Sequence, residues 1–227
     1  MELSLPYSDF KLYVQKQLEH FFPDQIAMNQ GEWSTVMDKA LDRTAFCFKH
    51  VTLPAYCKNG SPFLNHLHSD QYAVFLWFLS NTVWKETQND IVANKLFYLN
   101  KALHGISAMY NTALPDIFLL LHTVGTVLGR ATYGDFFVAS QGCTVGAQND
   151  CYPLIGKGVG LLPYSSVIGD CKVGSRSVLG INATVYQADI EQDHVIFVDS
   201  DGKIQKKLKN GVTWTQRFYN VTLKDVN

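Results

Sequence analysis

Two periods divide the chain. In the first hundred or so residues apolar side chains recur every three or four positions; beyond Met109 they recur every six. Phe10, Leu12, Tyr13, Leu18, Phe21 and Phe22 predict a helix over 8–22, with Ser8 and Asp9 as its N-cap and Pro23 as its stop. Trp33, Val36, Met37, Ala40, Leu41 and Phe46 predict a second over 32–50. A third, strongly apolar helix fits 71–84 behind Ser69 and Asp70, and a fourth fits 91–103, ending at His104-Gly105. The second period starts each step on an aliphatic: Val127, Tyr133, Ala139 and Val145, then Ile155, Leu161, Val167, Val173, Leu179 and Val185. Glycine follows directly at Val145, Ile155, Val173 and Leu179. A six-residue period of this kind predicts a parallel β-helix, one short strand and turn per hexad and three hexads per triangular coil. The fold class expected is α+β: an N-terminal all-helical domain over 1–105, a left-handed parallel β-helix of hexapeptide repeats over 106–190, and a C-terminal strand and tail over 191–227.

Regular coils satisfy their own backbone, so chemistry is expected where the period breaks. The step from Val145 to Ile155 is ten rather than six, which leaves four surplus residues in GAQNDCYPLI and predicts a projecting loop. His122 lies one position after Leu121, which is in phase with the hexads. Only one other histidine, His194, stands in the second half. In the first half His66, His68 and Asp70 form a cluster that reads as a polar loop and helix cap rather than a metal site, because no third ligand stands at a suitable spacing.

Composition narrows the partners. The 227 residues are 47% apolar and 17% charged with a net charge of −1, a globular chain with no electrostatic reason to bind nucleic acid. The apolar run over 72–79 is too short to span a bilayer. The opening MELSLPYSDF has neither a basic start nor an apolar core, which predicts no secretory signal and a cytoplasmic protein. The five cysteines, Cys47, Cys57, Cys143, Cys151 and Cys171, are scattered and predict free thiols; no metal is expected.

The stretches HTVGTVLGRATYGDFFVASQGCTVGA and YPLIGKGVGLLPYSSVIGDCKVGSRSVLGINATV resemble the hexapeptide-repeat acyltransferases, and among these the serine acetyltransferase branch. His122, Gly125 and Gly129 match its His-x-x-Gly-x-x-x-Gly; Gln141, Thr144, Val145 and Gly146 match a following stretch; Pro153 to Gly156 match Pro-x-Ile-Gly. The resemblance implies a homotrimer with acetyl-CoA as acyl donor in the cleft between prisms, pairing of trimers through the helices being left open. It implies His122 as general base, a role suited to an imidazole whose ordinary pKa is about 6.5. It places Gly146, Ala147, Pro163, Tyr164 and Ile181 along the cofactor channel, and Gln141 and Tyr152 beside the acceptor.

The departures bear on the acceptor. In serine acetyltransferases an aspartate precedes the catalytic histidine, a histidine precedes the loop proline, and an aspartate upstream orients the base. Here these positions hold Leu121, Tyr152 and Ser107. A leucine and a tyrosine leave the charges of an amino acid unpartnered, whereas tyrosine suits a sugar. The expected acceptor is therefore a carbohydrate hydroxyl, such as a surface-polysaccharide unit or its precursor, with His122 held by a backbone carbonyl. Serine acetylation with an altered pocket, and a non-catalytic hexapeptide scaffold, are the alternatives. The basic run over 203–209 reads as a solvated face before a contact to the 3′-phosphate of CoA.

Overall fold

In the computed structural model, which describes residues 1–226, four helices come first: α1 (Tyr7–Phe21), α2 (Gln30–Lys49), α3 (Ser69–Thr87) and α4 (Asp90–His104). The expected N-cap at Ser8 is not used. Pro6 stands at the cap without a side-chain bond, because proline presets the backbone entering the helix and Ser8 already lies inside it. α2 and α4 start on Asn29 and Asn89, whose side chains accept from the amides of Glu32 and Val92, and α4 ends on left-handed Gly105. A small sheet of β1 (Glu2–Leu3), β2 (Cys57–Lys58) and β3 (Ser61–Leu64) lies among them.

A helix apolar on all sides has to be enclosed. α3 is buried without a break from Asp70 to Val83, packed on α2 and α4 and on the first strand of the second half. Two of its polar side chains bond to backbone: Ser80 donates to the Ala93 carbonyl at 2.8 Å, and Asn81 to that of Tyr110 at 2.6 Å. Phe118 is wedged against Trp77 and Phe78, with ring centres 5.4 Å away in each pair.

The second half is a parallel β-solenoid with three faces. Face one stacks β4 (Phe118–Leu120), β7 (Phe137–Ala139), β10 (Gly160–Leu161), β13 (Val178–Leu179) and β15 (His194–Val198), closed by antiparallel β16 (Ile204–Leu208). Face two stacks β5 (Val127–Leu128), β8 (Thr144–Gly146), β11 (Ser166–Ile168) and β14 (Thr184–Tyr186). Face three stacks β6 (Thr132–Tyr133), β9 (Leu154–Ile155) and β12 (Lys172–Val173). Nine of the ten hexad positions are buried in the prism. The exception is Val127, 40% exposed, whose place is taken by Leu128 at 1%. Leu120 rather than Leu121 fills the position below, being paired with Ala139. The corner between faces three and one is made by Gly134, Gly156 and Gly174, each directly against the backbone of the next coil.

The helices cover the open lower end of the prism, so the core is one continuous cluster. At the upper end β16 is exposed along its length; Lys206 pairs with Glu191 and Lys207 lies over the Phe197 ring. The closing segment, expected as a tail packed on a trimer, packs on its own chain. The Tyr219 hydroxyl donates to the Phe137 carbonyl at 2.9 Å, and the amide of Thr52, just after α2, donates to the Phe218 carbonyl. No described helix is long and apolar enough to cross a membrane.

Candidate active site

The corner from face one to face two turns through a column of left-handed residues, one per coil. Gly125, Gly142, Tyr164 and Asn182 have φ of 78°, 68°, 62° and 59°. Gly142, Tyr164 and Asn182 donate their amides to carbonyls of the coil below, those of Val124, Gln141 and Pro163, and Gly125 donates to the Gly105 carbonyl at the end of α4. Glycine at 142 is required twice over, for its φ and because a Cβ would lie 2.6 Å from Cε1 of the Tyr164 ring.

His122 stands outside this column. Seven positions separate Leu120 from Val127, whereas five separate their strand partners Ala139 and Thr144. The lowest corner therefore carries two extra residues, and their place in the chain is His122 and Thr123. The excursion is pinned from several sides. The Leu121 amide donates to the Ala139 carbonyl, the Val124 amide closes a tight turn onto the His122 carbonyl at 2.6 Å, and the buried Thr123 hydroxyl donates to the His104 carbonyl at 2.7 Å. His122 has φ 55°, left-handed and strained for a residue with a side chain, and its imidazole is exposed. The His122 amide donates to Oδ1 of Asp70, 3.0 Å away at the start of α3. Neither the expected carbonyl nor Ser107 bonds the imidazole among the described residues; Ser107 is bridged to Val127 at the foot of face two.

The second break is at the corner from face two to face three. Eight positions separate Gly146 from Leu154, against four between their partners Ile168 and Lys172, which is the four-residue excess expected. The excess folds as a tight hairpin. Gln148 and Cys151 exchange both backbone bonds across Asn149 and Asp150, at φ 50° and 58°, as a two-residue type I′ turn requires. Tyr152 follows, and the Arg130 guanidinium lies over its ring, 4.5 Å from the centre. Arg130 was not singled out from the sequence; its position just after Gly129 was the available signal.

The candidate residues thus fall into two groups. Gln141, Pro163, Tyr164 and Ile181 share the corner that carries His122, on successive coils. Gly146, Ala147 and Tyr152 lie along the opposite edge of face two, with Arg130. Face two and its first corner expose an apolar stripe: Val124 73%, Tyr164 60%, Ile181 57%, Tyr186 51%.

Several other titratable groups have structural partners. His66 shares a 2.7 Å bond with the Ser4 hydroxyl, and His68 stands at the N-cap of α3. No group of three or more His, Cys, Asp or Glu able to hold a metal ion occurs among the described residues. His104, buried under the His122 corner, bonds Asn100 at 2.7 Å, and burial lowers its pKa to about 4. Burial pushes the Cys47 thiol up to about 12, and all five cysteines are free. A cavity of about 300 Å³ lined by Leu18, Phe22, Ile26, Met28, Trp33 and Lys95 lies in the helical half and takes in none of these candidates.

No protein-family model and no curated protein matches the sequence. Solved structures do match. A serine acetyltransferase from Brucella abortus superposes with a TM-score of 0.59 at 19% identity, over 88% of this chain and 74% of that one. The serine acetyltransferase from Vibrio cholerae gives 0.62 at 15% identity, over 90% and 75%. A serine acetyltransferase in complex with CoA gives 0.61 at 16% identity, over 76% and 74%. At these identities the likeness is one of architecture: four helices followed by a parallel β-solenoid, the fold of the serine acetyltransferases.

Proposed function

We propose that this chain is an acetyl-CoA-dependent O-acetyltransferase with His122 as its general base. The observation that carries the reading is the two-residue excess at the lowest corner. It puts one exposed imidazole outside the regular turn of the prism, on the same corner as Tyr164 and Ile181. These side chains, with Pro163, are an apolar ledge suited to the pantetheine arm of CoA; Gly146 and Ala147 would line its other wall. Acetyl-CoA would supply a thioester carbonyl as the electrophile. His122 would take the acceptor's hydroxyl proton as that oxygen attacks the thioester carbon; the tetrahedral intermediate would then break its C–S bond, and the departing CoA thiolate would take the proton from His122, a contribution of about 10²–10⁴-fold.

The two groups of candidates lie on opposite edges of one face, so a second copy of the chain is needed to bring them to one substrate. A homotrimer in which the His122 corner of one protomer meets the hairpin edge of the next does this. It also covers the apolar stripe on face two. The pairing of trimers through the helices is not part of this reading.

For the acceptor, Leu121, Tyr152 and Ser107 support a neutral alcohol, a carbohydrate hydroxyl first. The second reading is L-serine, and three observations favour it: the structural neighbours are serine acetyltransferases, a carboxylate (Asp70) lies beside His122, and a guanidinium (Arg130) lies on Tyr152. Incubating the protein with acetyl-CoA and either L-serine or a panel of sugars, and following CoA release and product mass, separates the two. Saturable O-acetylserine formation with no sugar product overturns the carbohydrate reading. No transfer to any hydroxyl, together with no CoA binding, overturns both in favour of a scaffold.

A further inference from the structure

We infer that Asp70 is the positioning residue of His122, a role that rests on His122 being the base. In most catalytic histidines a carboxylate or carbonyl grips the second ring nitrogen. Here the grip is on the main chain. Oδ1 of Asp70 accepts the His122 amide at 3.0 Å, and the bond joins the first turn of α3 to the two-residue excursion 52 positions later.

Three features separate this contact from an ordinary acidic residue at a helix start. The first is burial: Asp70 is 7% exposed, whereas a first-turn carboxylate that only complements the helix dipole can stay in water. The second is the conformation held. With φ 55° His122 lies in a region whose penalty for an L-residue disfavours it about tenfold against its ordinary conformers. The excursion takes its amide out of the coil-to-coil ladder that serves the column of left-handed residues at this corner. The Asp70 oxygen supplies the missing acceptor and so selects the strained state. The third is rigidity behind the carboxylate. Asp70 begins an unbroken buried run on α3, and the neighbouring Gln71 is locked, accepting the Asn65 amide and donating to the Ala55 carbonyl, both at 2.7 Å. The direction of the His122 Cα–Cβ bond is thereby set by the helical half, which gives that half a part in the chemistry beyond capping the prism.

The role asks for an oxygen acceptor, so Asp70→Asn retains it and Asp70→Ala removes it. The test uses the full chain and two readouts. In the first, ¹⁵N-histidine labelling, with His122→Gln to assign the signal, follows the His122 amide proton. It should be protected from exchange in wild type and Asp70→Asn and lose protection about tenfold or more in Asp70→Ala. In the second, kcat and KM for acetyl-CoA are measured with whichever acceptor of the panel turns over. Asp70→Ala should lower kcat about tenfold with KM within twofold, and Asp70→Asn should restore kcat to within threefold of wild type. An unprotected His122 amide in wild type overturns the proposal, as does wild-type kcat in Asp70→Ala or an Asp70→Asn variant as impaired as Asp70→Ala. If Asp70→Ala does not fold, the wild-type amide and the Asn variant still decide. If His122→Gln is as active as wild type, the reading of His122 as base fails, and the amide measurement alone judges the contact.

Discussion

Replacing Gly156 by alanine tests how tightly the coils must stack. A Cβ at this position would lie 2.6 Å from the Ser175 nitrogen and 2.9 Å from its Cα, where ordinary contact begins near 3.4 Å. These are backbone atoms of the next coil and cannot swing aside as a side chain would. Relief requires the coils to part locally, at the expense of the 2.8 Å bond from the Gly156 amide to the Val173 carbonyl. Overpacking costs about 1–3 kcal/mol and a lost backbone bond about 1 kcal/mol, so about 3 kcal/mol is expected in all. For a chain of this size that lowers Tm by about 6–12 °C. Gly202→Ala is the control. Gly202 is also left-handed, at φ 76°, but has nothing within 4 Å, so only backbone strain of about 1–2 kcal/mol applies. Thermal melts followed by circular dichroism give both numbers. A Gly156→Ala variant no less stable than Gly202→Ala would refute the stacking argument.

Other consequences are open to measurement. His104 is held neutral, its folded pKa of about 4 lying below the unfolded value of about 6.5. Between these values the unfolded chain binds a proton that the folded one does not, so this contribution is full above about pH 6.5 and is lost as pH falls to about 4. It amounts to about 3 kcal/mol at most, and urea titrations at pH 7.5 and 4.5 should show His104→Gln losing less stability than wild type over that interval. If the proposed trimer forms through this face, Ile181→Glu, on the exposed ledge, should convert it to monomer in light scattering with little change in Tm; an unaltered mass would place the interface elsewhere. Tyr152→Ala should raise KM for the acceptor while leaving that for acetyl-CoA unchanged, and the reverse pattern would move Tyr152 to the donor side.

The legibility of the molecule in its sequence follows from the range over which each feature is encoded. The prism was readable because every inward aliphatic answers to the same local demand, and so was a projecting loop after Gly146, whose four surplus residues interrupt a clean period; that it folds as a hairpin was not. The phase of the lowest coil was not. Val127 and Leu128 are both aliphatic, so either satisfies the period, and only pairing with Thr144 and Val145 shows that Leu128 faces inward. The same ambiguity concealed the two extra residues at His122, since LHTVGTVL offers aliphatics at three different phases, Leu121 with Val127, Val124, and Leu128. The Asp70 contact was beyond reach for a different reason. Asp70 reads locally as a helix-start acid beside two histidines, and nothing in its spacing points to a residue 52 positions on. Arg130 on Tyr152 is likewise a product of stacking between coils.

We propose that His122 removes the acceptor's proton. This role is tested most directly by the rate of acetyl transfer from acetyl-CoA in wild type and His122→Ala, at saturating acceptor and with folding of both checked by circular dichroism. The expected result is a fall in kcat of about 10²–10⁴-fold with KM for acetyl-CoA nearly unchanged. A His122→Ala enzyme within twofold of wild type would contradict it.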